Sequence, residues 1–157
     1  MAKNDDVIRE SSLICFHVLS RAETLPKELW LERALELKYT ALKHGLCPVS
    51  PLIMTIDEAQ GSKDDRLFTF YYSLNADFEN AEKAQCNYQK SFMIDQTLAM
   101  RHYQMNKPFS ATYRELKASA DKLKLRPGNT FYHVMVPVYG DWIAEIHLPI
   151  LTEPVQR

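Results

Sequence analysis

Apolar and polar positions alternate along this chain in two different rhythms, and each rhythm predicts a kind of element. Ser12 to Leu19 (SLICFHVL) is an apolar run rich in β-branched and aromatic residues, as a strand requires. Thr24 then precedes Leu25-Pro26, an N-cap residue followed by a proline of the kind a first helical turn accepts, so a helix is expected to begin there. Trp30, Ala34, Leu37 and Ala41 recur at helical spacing, with Leu31, Leu35 and Leu42 widening the stripe. Lys43 and His44 fall in the last turn, and Gly45 is the expected stop. After Pro48 and Pro51 comes a second apolar run, Leu52 to Ile56. A polar turn from Asp57 to Asp65 then leads to a third, Arg66 to Leu74 (RLFTFYYSL).

Asn75 to Lys90 is charged and weakly apolar and reads as a connector, the candidate boundary between two halves at 12–74 and 91–150. Phe92 to Tyr103 is expected to be a long strand. Ser110 is the expected N-cap of a second helix, along which Phe109, Tyr113, Leu116, Ala120 and Leu123 recur at steps of three and four. Arg126-Pro127-Gly128 is expected to stop it. Thr130 to Tyr139 and Trp142 to Ile150 form two further runs, joined by Gly140-Asp141 as a tight hairpin turn.

The order is strand, helix, strand, strand, and then the same again. The helix ends also match in wording: His44-Gly45-Leu46-Cys47-Pro48 in the first half, Leu123-Lys124-Leu125-Arg126-Pro127-Gly128 in the second. The expected fold is therefore α+β: duplicated βαββ modules forming one antiparallel sheet, two helices on one face and a cleft on the other. The first eleven residues and residues 151–157 are read as tails.

Strand alternation sorts the last run into faces. Trp142, Ala144, Ile146 and Leu148 point one way, under the helices, and Ile143, Glu145 and His147 point the other. With a Gly140-Asp141 turn, Glu145 would lie opposite Val136, with Val134 and Tyr132 on the same face. Burial would raise the pKa of such a carboxylate, and a bound cation would lower it. Apolar and aromatic walls around one carboxylate suit a lipophilic cation or amine. The same alternation also describes a wet outer face carrying a solvated Glu and His. Asp95 and Arg101 would share a face with Thr97 and Ala99, as surface ion-pair formers.

Composition narrows the classes. The chain has 157 residues, 46% of them hydrophobic, with 19 basic against 20 acidic side chains and a net charge of -1. Balanced charge argues against binding nucleic acid by phosphate neutralisation. No apolar run is long enough to cross a membrane and the first ten residues carry no signal-peptide core, so a cytoplasmic location is expected. Cys15, Cys47 and Cys86 are more than 30 residues apart, and the five histidines form no metal-ligand pair. Neither a Gly-rich phosphate loop nor a Gly-x-Ser-x-Gly elbow is present, so no cofactor and no metal is expected.

The duplicated order, the junction HGLCPVSPLIMTID and the closing DWIAEIHLPI together resemble the gyrase-inhibitory-protein-like (GyrI-like) effector-binding domain, over about Ser12 to Ile150. That resemblance implies two βαββ modules about a pseudo-two-fold axis, with a ligand cleft and a cleft glutamate that meets cationic drugs; Glu145 is the matching candidate. Eleven residues before the first strand are too few for a helix-turn-helix, so a module without a DNA reader is expected. The expected function is binding of a small hydrophobic or cationic molecule by Glu145, Tyr132, Tyr72, Trp142 and His147. The rivals are a protein-interaction module of the gyrase-inhibitor type and a hydrolase using the cleft glutamate.

Overall fold

The computed structural model describes residues 7–59 and 61–151, and the fold is α+β with antiparallel strands and two helices. Seven strands alternate with the helices: β1 (Arg9–Pro26), α1 (Trp30–Lys43), β2 (Leu52–Glu58), β3 (Asp65–Ser73), β4 (Asn87–His102), α2 (Ser110–Lys122), β5 (Arg126–Pro127), β6 (Tyr132–Val138) and β7 (Asp141–Leu151). They form two compact units. One is Ile14–Met93. The other joins the described residues up to Leu13 to those from Ile94 onward.

Within the first unit, β3 is the central strand, antiparallel to β1 on one side (Leu19 opposite Tyr72) and to β2 on the other (Met54 opposite Phe70). Phe68, Phe70, Leu19 and Met54 are buried with Ala34, Leu37 and Ala41 of α1. Within the second unit, β7 is the central strand, antiparallel to β4 (Met100 opposite Ile146) and to β6 (His133 opposite Ile146). Leu98, Met135, Ala144, Ile146 and Leu148 are buried with Leu116 and Ala120 of α2. In both units the strand before the helix pairs with the last strand, which pairs with the middle one. The predicted duplication is thus a duplication of topology.

The helix ends carry the repeat to single hydrogen bonds. At the end of α1, Gly45 N–H donates to Leu42 O and Leu46 N–H to Ala41 O; at the end of α2, Lys124 N–H donates to Asp121 O and Leu125 N–H to Ala120 O. Both are Schellman closures, which need a left-handed residue at the turn, and Gly45 (φ 76°) and Lys124 (φ 56°) supply it. A proline follows three residues later in each half. Lys124, not Arg126-Pro127-Gly128, therefore ends α2, and Arg126-Pro127 instead pairs with Leu151 and Ile150.

Both expected N-caps are corrected. Thr24 lies opposite Leu67 in β1, because pairing with β3 runs on to Pro26; a 3-10 turn, Lys27–Leu29, then precedes α1. Ser110 is the first residue of α2, since Phe109 is already helical in backbone, held between the rings of His102 and His133. Leu35, Leu42 and Leu123 are exposed, so the buried stripes are narrower than the periodicity suggests. The long strand predicted from Phe92 begins five residues earlier, at Asn87.

The last hairpin turns at Tyr139-Gly140, with Val138 opposite Asp141, not at Gly140-Asp141. A two-residue turn of this twist needs φ > 0 at both central positions, and Tyr139 (φ 48°) and Gly140 (φ 81°) provide it. Asp141 instead uses its carboxylate to accept the Trp142 N–H at 2.8 Å. Glu145 consequently faces Val134 rather than Val136. The shift is by two residues, so it keeps the same face.

A left-handed Lys124 on an exposed helix end carries backbone strain that glycine would remove. Lys124→Gly is expected to stabilise the protein by about 0.5–1 kcal/mol, after the extra unfolded-state entropy of glycine is subtracted. Urea denaturation checks this, and an unchanged or lower midpoint contradicts it.

Candidate functional site

Alternation along β6 and β7 sets two faces in the second unit. His133 marks the α2 side, because its Nε2 meets the Tyr113 hydroxyl of α2. Ala144, Ile146 and Leu148 share that side. The opposite side presents Tyr132, Val134, Val136, Ile143, Glu145 and His147. Pairing with β4 adds Ala99 beside His147 and Arg101 beside Glu145.

Glu145 is the centre of this face, with its side chain 21% exposed. Its Oε2 lies 2.6 Å from an Arg9 guanidinium nitrogen and 3.8 Å from Arg101 Nε. Its Oε1 accepts a hydrogen bond of 2.8 Å from His147 Nε2. His147 is 1% exposed, and its Nδ1 lies 2.8 Å from Thr97 Oγ1. One tautomer satisfies both contacts with a neutral ring: Nε2–H donates to the carboxylate and Nδ1 accepts from the Thr97 hydroxyl.

The pKa directions follow. Burial lowers the His147 imidazole, and the Glu145 carboxylate only partly opposes it. Burial pushes the Glu145 carboxyl up, but hydrogen bonds from Arg9 and then His147 outweigh it and hold the group below its ordinary value. The cation that lowers this carboxyl is the chain's own Arg9. A cavity of about 260 Å³ adjoins the cluster, lined by Val7, Arg9, Ala99, Met100, Arg101, Tyr103 and Glu145.

The five residues singled out from the sequence divide as follows. Glu145 and His147 are in direct contact, and Tyr132 stands opposite His147 on the same face. Trp142 lies opposite Pro137 on the α2 side, at the hairpin end. Tyr72 belongs to the first unit, where it shares a face with Phe68 and Glu23, and Glu23 lies 3.9 Å from Arg33 of α1. It is buried there, and burial pushes its phenol to about 12. Of the five, Glu145 is the one among the described residues that line the cavity; Tyr132, His147, Trp142 and Tyr72 do not.

Sequence reasoning missed Arg9, Arg101, Thr97 and Tyr103. Arg9 was assigned to a polar tail, yet β1 begins at that residue. Arg101 and Thr97 were placed on one face of their strand, but nothing in the sequence shows that β4 pairs with β7. Asp95 forms no ion pair with Arg101, which turns to Glu145. Among the described residues no cluster of three or more His, Cys, Asp or Glu could hold a metal, and no helix is long and apolar enough to cross a membrane.

Both depressed pKa values carry the same sign. The folded chain holds fewer protons than the unfolded one, so the stability from His147 is present above its unfolded value, about 6.5, and is lost as pH falls through the lower folded value. Glu145 behaves alike below its unfolded value of about 4.3. Denaturation midpoints should therefore fall between pH 7 and 5, and His147→Gln should flatten that slope; an equal slope in the variant contradicts it. Thr97→Val leaves the buried Nδ1 without a donor and is expected to cost about 1–3 kcal/mol, read from urea melts.

No protein-family model matches the sequence, and no curated protein does. Solved structures do match in fold. The crystal structure of the EcmrR C-terminal domain superposes with a TM-score of 0.70 at 12% identity, covering 94% of this chain and 99% of that one. EcmrR in its DNA complex gives 0.71 at 13% identity, and there the match covers 91% of this chain but only 57% of the other. SAV2435 bound to tetraphenylphosphonium gives 0.55 at 11% identity, covering 92% and 94%, and a hydrolase from Listeria innocua gives 0.57 at 11%, covering 91% and 92%. The chain has the GyrI-like fold that the sequence resemblance implied.

Proposed function

We propose that this GyrI-like fold serves here as a small-molecule-binding module, whose ligand sits in the cavity at Glu145 with an amine or other cationic group against that carboxylate. The observation that carries the reading is Glu145 itself, a mostly buried carboxylate on the wall of a cavity whose other walls include Val7, Ala99, Met100 and Tyr103. A volume near 260 Å³ lies just under the roughly 300 Å³ at which drug-sized sites begin, so it suits a compact ligand of about one ring. Tyr103 offers a ring to the body of such a ligand. SAV2435, with the same fold, has been captured with the organic cation tetraphenylphosphonium, which supports the charge class.

Binding is favoured over hydrolysis by the state of Glu145. A carboxylate hydrogen-bonded by Arg9 and His147 is held as an anion with a lowered pKa, which suits a counter-ion and makes a weak general base.

Calorimetric titration with phenethylammonium, a one-ring amine, tests the reading. The wild-type chain is expected to saturate, and Glu145→Gln to bind about tenfold more weakly, the loss of one charge-assisted hydrogen bond. Equal binding by the two proteins, each shown folded by circular dichroism, removes Glu145 from the site.

A further inference from the structure

Among the described residues, the charges around the cavity do not balance. Two guanidinium groups, Arg9 and Arg101, approach the same oxygen of a single carboxylate, while His147, on the other oxygen, is satisfied in its neutral form by Glu145 and Thr97. The cluster therefore holds two positive charges and one negative. The Arg9 contact is a close ion pair, but the Arg101 contact, at 3.8 Å, lies beyond hydrogen-bond range. Arg101 is also 54% exposed and lines the same cavity as Tyr103 and Glu145. Its guanidinium is thus the group at the cavity with the most unused donor capacity.

A ligand that brings only a cation raises the local surplus from one positive charge to two. A ligand that brings an ammonium and a carboxylate together leaves the surplus at one and gives Arg101 a planar acceptor that matches its fork. Glu145 can still receive the ammonium, since a carboxylate offers about four lone-pair sites and three groups approach it here. We infer that the ligand seated at Glu145 also carries a carboxylate or a comparable anion, held by Arg101 with Arg9 beside it, so that the site selects compact zwitterions over simple amines. This rests on the reading that the ligand sits at Glu145.

Phenylalanine is phenethylammonium with a carboxylate added, so the two make a matched pair for calorimetric titration of the full chain. Phenylalanine is expected to bind about fivefold or more tightly than phenethylammonium at low salt, the scale of one partly exposed ion pair. Arg101→Gln should collapse that preference, and Arg101→Lys, which keeps the charge but not the fork, should keep part of it. Both substitutions are at a half-exposed side chain, and circular dichroism confirms that the variants fold. Phenethylammonium binding as tightly as phenylalanine, or a preference that survives Arg101→Gln, overturns the inference. If phenethylammonium alone binds, and loses affinity with Glu145→Gln, the functional reading stands and only this inference falls. If neither molecule binds, both fall.

Discussion

A carboxylate near the middle of a mostly buried strand is unfavourable unless cations and hydrogen-bond donors surround it. Glu145 meets that requirement entirely from its own unit, and the site is organised by how it does so. Arg9 reaches it from the first residue of β1, Arg101 from the directly paired position on β4, and His147 from two residues further along β7. His147 can be buried because Thr97 occupies its other nitrogen. Removing Arg9, His147 or Thr97 takes a close partner from the carboxylate or from a ring nitrogen, so these groups act as one unit rather than as a set of surface ion pairs.

The first unit uses the same order of elements for a different end. Its outstanding polar contacts tie the segment after β3 to β1: Arg21 donates to Ala84 O and Gln85 O, and His17 Nδ1 lies within 3.1 Å of both Asp77 and the Tyr88 hydroxyl. His17 adopts a left-handed backbone (φ 53°) in the middle of β1, one residue before the pairing with β3 begins at Val18. The Tyr88 hydroxyl in turn donates to Asp77 and holds that carboxylate below its ordinary value. One duplicated topology therefore carries two unrelated polar clusters, and that of the second unit adjoins a cavity with the mostly buried carboxylate of Glu145 on its wall.

The pattern of apolar residues was sufficient for the number and order of the main elements, because period and turn chemistry act locally. It also placed Glu145 and His147 on one face, since alternation survives a two-residue change of register. Local rules failed where tertiary contacts decided. Pairing with β3 drew Thr24 into a strand, Phe109 took the cap position of α2 expected of Ser110, with its ring packed on His133, and Lys124 took the left-handed position that Gly45 holds in the other half. The partners of Glu145 were illegible for a related reason. Arg9 and Arg101 lie more than 40 residues away in sequence and reach it only through strand pairing. Tyr72 looked like a cleft residue by type, but its parity on β3 places it with Glu23, on the side of α1.

The central claim is that Glu145 and its two guanidinium neighbours form a ligand site rather than a structural ion cluster. It is tested most directly by nuclear magnetic resonance of protein carrying ¹³C at glutamate carboxyls and ¹⁵N at arginine Nε, titrated with phenylalanine. A ligand site predicts that the Glu145 carboxyl and the Arg101 Nε–H resonances move together and saturably. Resonances that stay fixed at both groups while the ligand binds elsewhere, or does not bind, would contradict it.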